Sequence, residues 1–67
     1  MVRYLPKIRS RVTANENESI ELEFVVSQDS GSVAYRVMTP DEAMELAHAL
    51  EDAALIAEGY PPKYATD

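Results

Sequence analysis

The chain contains a single histidine, His48, and no cysteine, so few of its side chains could act as a nucleophile or a base. His48 could serve as a general base or as a pH-sensitive contact. Its spacing from the leucines and alanines around it places it on a helix away from the apolar stripe, where it would be a partly exposed residue near Met44 and Glu51. A metal site at His48 would lack a second histidine and a known ligand spacing. We therefore interpret His48 as a surface residue of the helix.

Three pairs of neighbouring carboxylates raise the question of acid–base catalysis: Glu21 and Glu23, Asp41 and Glu42, Glu51 and Asp52. Glycosidase-type chemistry needs two carboxyls that face each other across a pocket large enough for a sugar. A chain of 67 residues has little room for such a pocket. Charge pairing on a strand, a helix N-terminus and a solvated helix face account for the three pairs. We expect a protein that is not an enzyme, with no catalytic residue, cofactor or metal.

Four basic residues lie within the first fourteen positions, which hold no acid: Arg3, Lys7, Arg9 and Arg11. On one face of a strand they could follow a phosphate backbone, as the strands of dimeric β-ribbon proteins do. The remainder of the chain holds all twelve acids and two bases, so the net charge of the whole is −6. An anionic surface repels nucleic acid and anionic membranes. A dimeric nucleic-acid-binding regulator that uses this basic first strand is the alternative function.

Strands and turns follow from the spacing of apolar residues. Period-two alternation from Val2 to Val12 predicts a first strand, with Pro6 at its edge or at the start of its paired part. Further strands are predicted over Ile20–Val26 and Ser32–Met38, with a turn at Gln28–Gly31. These segments predict a three-stranded antiparallel meander.

The register of the meander is predicted by matching apolar and charged residues across strands. The first hairpin is expected to pair Val12 with Ile20, Arg11 with Glu21 and Arg9 with Glu23. The second hairpin is expected to pair Val26 with Val33, which sets Glu23 beside Arg36.

A helix follows the third strand. Thr39 is the expected N-cap, Pro40 the first helical residue and Glu42 the second half of a capping box. An apolar stripe recurs at helical spacing and is expected to lie on the sheet: Ala43, Leu46, Ala47, Leu50, Ala53, Ala54 and Ala57. Gly59 fits the helix C-terminus. The fold class is therefore α+β, a β-β-β-α domain over residues 1–58 with the helix packed on one face, followed by an irregular tail at 59–67.

A monomer of this fold would leave two groups of apolar residues exposed. Met44, His48 and Leu55 cluster on the helix away from the stripe. This cluster could be a binding surface for a partner, or the tail residues Tyr60–Tyr64 could fold back and cover it. Leu5, Val25 and Met38 are predicted on the sheet face opposite the helix. A domain of this size buries only about 60% of its unfolded surface, so a bare sheet face favours association. We expect a homodimer.

The run from Met38 to Leu50, MTPDEAMELAHAL, follows a short β-hairpin and resembles small uncharacterised proteins of actinobacteria and their phages. In those proteins strands precede a helix that opens with Leu/Met-Thr-Pro-x-Glu-Ala and continues with Leu-Ala-x-x-Leu. The resemblance covers about half of the chain and implies no activity. The order of strands and helix is also similar to the HicB-type antitoxin fold, but the Pro-Asp-x-Pro-Gly turn of that family is absent, so its function is not carried over.

These observations predict a small acidic protein-interaction module that binds an unidentified protein partner through the two apolar groups and the acidic helix. A phage-derived regulator or inhibitor of a host protein is one form of it, since an acidic surface can occupy a partner's nucleic-acid site. No segment approaches the roughly 18 apolar residues of a membrane span. The first residues lack the apolar run of a signal peptide, so we expect a cytoplasmic location and no membrane partner.

Overall fold

The computed structural model describes residues 1–27, 29 and 31–65, in which a four-stranded antiparallel sheet of order β1-β2-β3-β4 precedes one helix. The elements are β1 Val2–Leu5, a 3-10 turn Pro6–Ile8, β2 Ser10–Ala14, β3 Ile20–Val25, β4 Val33–Met38 and α1 Pro40–Ala57. The α+β class is confirmed, whereas the expected count of three strands is wrong. Gln28 and Ser30 of the expected turn, and Thr66 and Asp67 of the tail, lie outside the described residues.

The first predicted strand is two strands joined by a reversal of the chain. Pro6 fits the start of the 3-10 turn, where its fixed φ is suitable and no backbone N–H is needed. Arg9 then adopts a left-handed conformation with φ 49°, and its N–H donates to the Pro6 carbonyl at 3.3 Å. Leu5 consequently pairs with Ser10 across a hairpin. The alternation of residues runs on through this turn, which is why the pattern alone suggested one strand.

The hairpin of β2 and β3 is offset by two residues from the predicted register. Val12 lies opposite Leu22, and Arg11 lies opposite Glu23. The Arg11 guanidinium reaches both oxygens of the Glu23 carboxylate, at 2.9 and 3.1 Å. Because Arg9 is held in the turn, it is not available as the predicted partner of Glu23. A shift of two residues keeps every side chain on its expected face.

The hairpin of β3 and β4 is offset by one residue, which turns β4 over. Val25 rather than Val26 lies opposite Val33. Met38 ends β4 one residue before the helix N-cap, and it is only 7% exposed. Since burial holds Met38 on the helix side, Tyr35 and Val37 must lie on the other face.

The sheet thus has an inner face toward the helix and an outer face away from it. The inner face carries Arg3, Leu5, Ser10, Val12, Ala14, Ile20, Leu22, Phe24, Ala34, Arg36 and Met38. The outer face carries Val2, Tyr4, Arg11, Thr13, Glu21, Glu23, Val25, Val33, Tyr35 and Val37. The predicted location of Leu5 and Met38 opposite the helix is wrong, because the 3-10 turn reverses the alternation in β1 and the register reverses it in β4. Val25 is on the outer face, as predicted.

Both ends of the helix follow the predicted local chemistry. The Thr39 hydroxyl accepts the Glu42 N–H at 3.2 Å, and the Glu42 carboxylate accepts the Thr39 N–H at 2.9 Å. The bond from the Thr39 N–H favours the ionised carboxylate and, together with the Thr39 side chain, holds the pKa of Glu42 below its usual value. At the other end Gly59 has φ 90°, and the Tyr60 N–H donates back to the Leu55 carbonyl at 2.9 Å. Glycine is suited to this position because a side chain would strain it.

The apolar stripe of α1 faces the inner face without packing tightly on it. Ala43 is half-buried, Leu46 is 38% exposed and Leu50 is 63% exposed, so the helix diverges from the sheet along its length. Met38, at the junction of strand and helix, is the one buried hydrophobic residue in the described part of the chain. The expected close packing of the helix on the sheet is therefore not what the structure shows.

Candidate interaction surfaces

An open apolar groove of about 320 Å³ separates the helix from the sheet. Its sheet wall is formed by Leu5, Ile8, Ser10, Val12, Ile20, Leu22, Phe24 and Met38, and its helix wall by Ala43, Leu46, Ala47 and Leu50. Ser10 is the one polar residue among these, and its hydroxyl donates to the Ile8 carbonyl at 3.1 Å. Because that hydroxyl already has a hydrogen-bond partner, a ligand in the groove would be bound by shape and apolar contact rather than by hydrogen bonds to side chains.

The outer face is a second uncovered surface. Tyr4, Tyr35, Val33 and Val37 are all more than half exposed. The Arg11–Glu23 ion pair lies among them, and both of its side chains remain accessible to solvent. Tyrosine and arginine are among the residue types that are enriched at interfaces between proteins.

The tail after the helix folds back over the opposite side of α1. The Tyr64 ring stacks on the His48 imidazole with 3.9 Å between ring centroids and 12° between planes. The carboxylate of Asp52 accepts the backbone N–H groups of Lys63, Tyr64 and Ala65, at 2.7 to 3.3 Å. Of the two alternatives for this helix cluster, cover by the tail is therefore the one that the structure shows.

Burial and hydrogen bonding act in opposite directions on Asp52. Removal from solvent raises its pKa, but the three N–H donors, with a smaller Coulombic contribution from His48, outweigh that effect and leave the pKa below its usual value. A carboxylate held this way is stable as an anion, and its oxygens are occupied. Asp52 therefore anchors the tail and is unsuited to act as a general base.

The predicted helix cluster is divided by this tail. His48 and Leu55 are half-buried, whereas Met44 is 57% exposed. Only Met44 of these three is open to a partner without movement of the tail.

The basic residues of the first segment do not form one row. Arg3 lies on the inner face and Arg11 on the outer face, where Glu23 neutralises it. Lys7 lies in the 3-10 turn, and Arg9 is the residue in left-handed conformation that follows this turn. The predicted alignment of these four side chains along one strand face is therefore wrong, because the reversal at Pro6 separates them.

In each pair of neighbouring carboxylates at least one member is held by another partner. Glu23 pairs with Arg11, and Glu21 accepts a hydrogen bond from the Asn15 amide at 3.3 Å. Glu42 is engaged in the capping box and Asp52 in the tail. Across residues 1–27, 29 and 31–65, no group of three or more histidine, cysteine, aspartate or glutamate side chains is placed to hold a metal ion.

Sequence reasoning missed two features of these surfaces. With Val26 opposite Val33, the predicted register puts Tyr35 and Val37 on the helix side of the sheet, and only the observed register moves them to the outer face. The role of Asp52 had no signal in the sequence, because its donors are backbone groups of a tail without regular structure.

Among the described residues, no helix combines the length and the apolar character that crossing a membrane requires. No family model matches the chain, and no curated protein or solved structure does either.

Proposed function

We propose that this chain is a non-enzymatic protein-interaction module that binds its partner through the outer face of the sheet. The observation that carries the proposal is the breadth of that face: six large apolar side chains on it are exposed, namely Val2, Tyr4, Val25, Val33, Tyr35 and Val37. Exposed patches of this kind on a small protein often mark a binding surface.

The residue types on this face suit recognition of a protein. Tyrosine and arginine are enriched among the residues that dominate binding energy at interfaces. Tyr4 is paired directly with Arg11, and Tyr35 directly with Glu23, so both tyrosines flank the central ion pair. A rigid sheet holds these side chains in place, which lowers the entropy lost on binding.

The charge of the chain indicates the chemistry of the partner. With twelve acids against six bases, the molecule carries a net charge of −6 and favours a protein with a basic surface around an apolar centre. The nucleic-acid site of a regulatory protein has this character, and covering it would make the chain an inhibitor of that protein. Val25 of the predicted contact residues belongs to this face, and the exposed Met44 lies on the helix outside it.

The role of the outer face is tested by affinity capture, in which the wild type and its variants are used as bait in a lysate of the cell that produces the chain. The wild type and Met44→Asp are expected to recover the same partner, because Met44 is exposed but distant from the outer face. Tyr35→Asp is expected to lose that partner, since it places a charge within the contact, directly beside the central ion pair. Higher salt is expected to slow association with a basic partner. Equal recovery by Tyr35→Asp and the wild type would refute the proposal.

A further inference from the structure

The groove between sheet and helix is lined by apolar side chains whose exposure to water is unfavourable. Leu50 on its helix wall is 63% exposed and Phe24 on its sheet wall is 41% exposed. Not one side chain in the described chain is fully buried, so these residues have no core of their own. Since apolar burial is the dominant favourable term in folding, an element that fills the groove would complete the fold.

We infer that the groove is filled by the helix of a second copy of this chain, in a two-fold symmetric dimer in which each copy supplies a helix to the other. This dimer would leave the outer face free, and it does not depend on the function proposed above.

The excess accessible surface of the chain is about as large as the area that an interface with one additional copy would bury. Its accessible surface is 5657 Å², whereas a compact monomer of this mass exposes about 4,200 Å². Its radius of gyration is 14.0 Å, against about 11 Å for a compact chain of this length. The excess of about 1,400 Å² exceeds the roughly 800 Å² per partner that a standard interface buries and falls within the range of obligate dimers.

The helix of a second copy has the surface that the groove requires. The stripe from Ala43 to Ala57 carries no charged or polar residue over the length of α1. Five of its seven residues are alanines, which allow the backbones of two helices to approach closely. In a two-fold dimer the same patch meets itself, so one sequence provides both groove and occupant.

The charges around the groove complement those of the helix. Arg3 and Arg36 are on the inner face of β1 and β4, the two edge strands, and neither forms a salt bridge among the residues that the structure describes. Arg36 is close enough to Glu42 of its own chain to attract that carboxylate. At helical spacing, Glu51 and Glu58 border the apolar stripe. A second helix placed in the groove would bring such glutamates toward Arg3 and Arg36 and fix its orientation.

The first experiment measures the mass of the purified full chain by sedimentation equilibrium over a wide concentration range. We expect a dimer whose dissociation constant rises about 100-fold or more in Leu50→Asp, because a charge would enter the apolar interface. Met44→Asp is the matched control, because Met44 is an exposed residue of the same helix outside the groove, and it should leave the dissociation constant within about twofold.

The second experiment remains informative if Leu50→Asp fails to fold. The chain has no cysteine, so one introduced thiol reports on one position. Chains carrying Leu22→Cys are mixed with chains carrying Leu50→Cys, and the mixed disulfide is expected to form on the order of tenfold faster than with Met44→Cys.

Three results would overturn the inference. A chain that stays monomeric at every concentration would show that the groove closes on its own helix or awaits a different protein. A dimer that survives Leu50→Asp and is lost in Tyr35→Asp would assign self-association to the outer face. Equal disulfide rates at positions 44 and 50 would exclude insertion of the helix.

Discussion

Asp52 determines the position of the tail, because one carboxylate accepts three consecutive backbone N–H groups. An asparagine side chain offers a single acceptor oxygen and turns an NH₂ group toward the same donors. We predict that Asp52→Asn releases the tail, and that the Tyr64 ring then leaves His48. Hydrogen exchange at the Tyr64 and Ala65 amides would show loss of protection, and the ring-current shift of His48 would disappear.

Glu51→Gln is the control for that substitution. Glu51 lies 4.0 Å from the Lys63 ammonium in an exposed ion pair, and such pairs contribute little. The tail should therefore stay in place. Unchanged protection at Tyr64 in Asp52→Asn would contradict the assigned role of Asp52.

The same carboxylate predicts how the tail responds to pH. The pKa of Asp52 is lower when the tail is bound than when it is free, so the bound state is favoured above the ordinary aspartate pKa of about 3.9. That contribution is lost as the pH falls through the lowered pKa, when the carboxylate takes up a proton. We predict that the Tyr64 amide shift moves toward its free value in acid, and that Asp52→Asn removes this transition. A tail that stays bound at a pH well below that lowered value would argue against it.

Among the elements, the reversal between β1 and β2 depends on one residue in a costly conformation. Arg9 has φ 49°, and a non-glycine residue there loses roughly 1 kcal/mol or more to steric crowding. We predict that Arg9→Gly raises the free energy of unfolding by about 1 kcal/mol, measured by urea denaturation. Lys7→Gly, in the adjacent 3-10 turn, should instead lower it by about 0.5 to 1 kcal/mol. A loss of stability in Arg9→Gly would show that contacts of the arginine side chain matter more than the backbone.

The start of the helix makes a separate prediction. Thr39→Ala removes the hydroxyl that accepts the Glu42 N–H, and it should lower stability by about 1 kcal/mol. Thr39→Ser keeps that acceptor and should remain close to the wild type in the same urea titration. Equal losses in both variants would contradict a capping role for the hydroxyl.

The elements also show which information was local in the sequence. The helix and its caps were predictable because Thr39, Pro40 and Gly59 act on their immediate neighbours. Strand register was not, since it depends on where the chain reverses, and nothing local to Arg9 reveals a positive φ. Four residues of the predicted apolar stripe, Ala43, Leu46, Ala47 and Leu50, line the groove, but the period of the stripe cannot tell whether the opposing surface belongs to the same chain. Of the predicted contact residues, Val25 was placed on the correct face, whereas Leu5 was misplaced by the missed 3-10 turn and Met38 by the one-residue register error between β3 and β4.

At the scale of the whole molecule, the chain is expanded because the groove separates the helix from the sheet, and Met38 at their junction is the one buried hydrophobic residue in the described part of the chain. The radius of gyration is 14.0 Å, against about 11 Å for a compact chain of this length. If a second copy completes the fold, folding and association are one process, and stability must depend on protein concentration.

We therefore predict that the thermal midpoint rises with concentration. Each tenfold increase shifts the equilibrium between folded dimer and unfolded chains by about 1.4 kcal/mol per dimer, which calorimetry or circular dichroism would detect as a steady upward shift. Met44→Asp should preserve the shift, because its side chain lies away from the groove. A midpoint constant over a hundredfold range of concentration would mean that the chain folds alone, with its helix closed over the inner face.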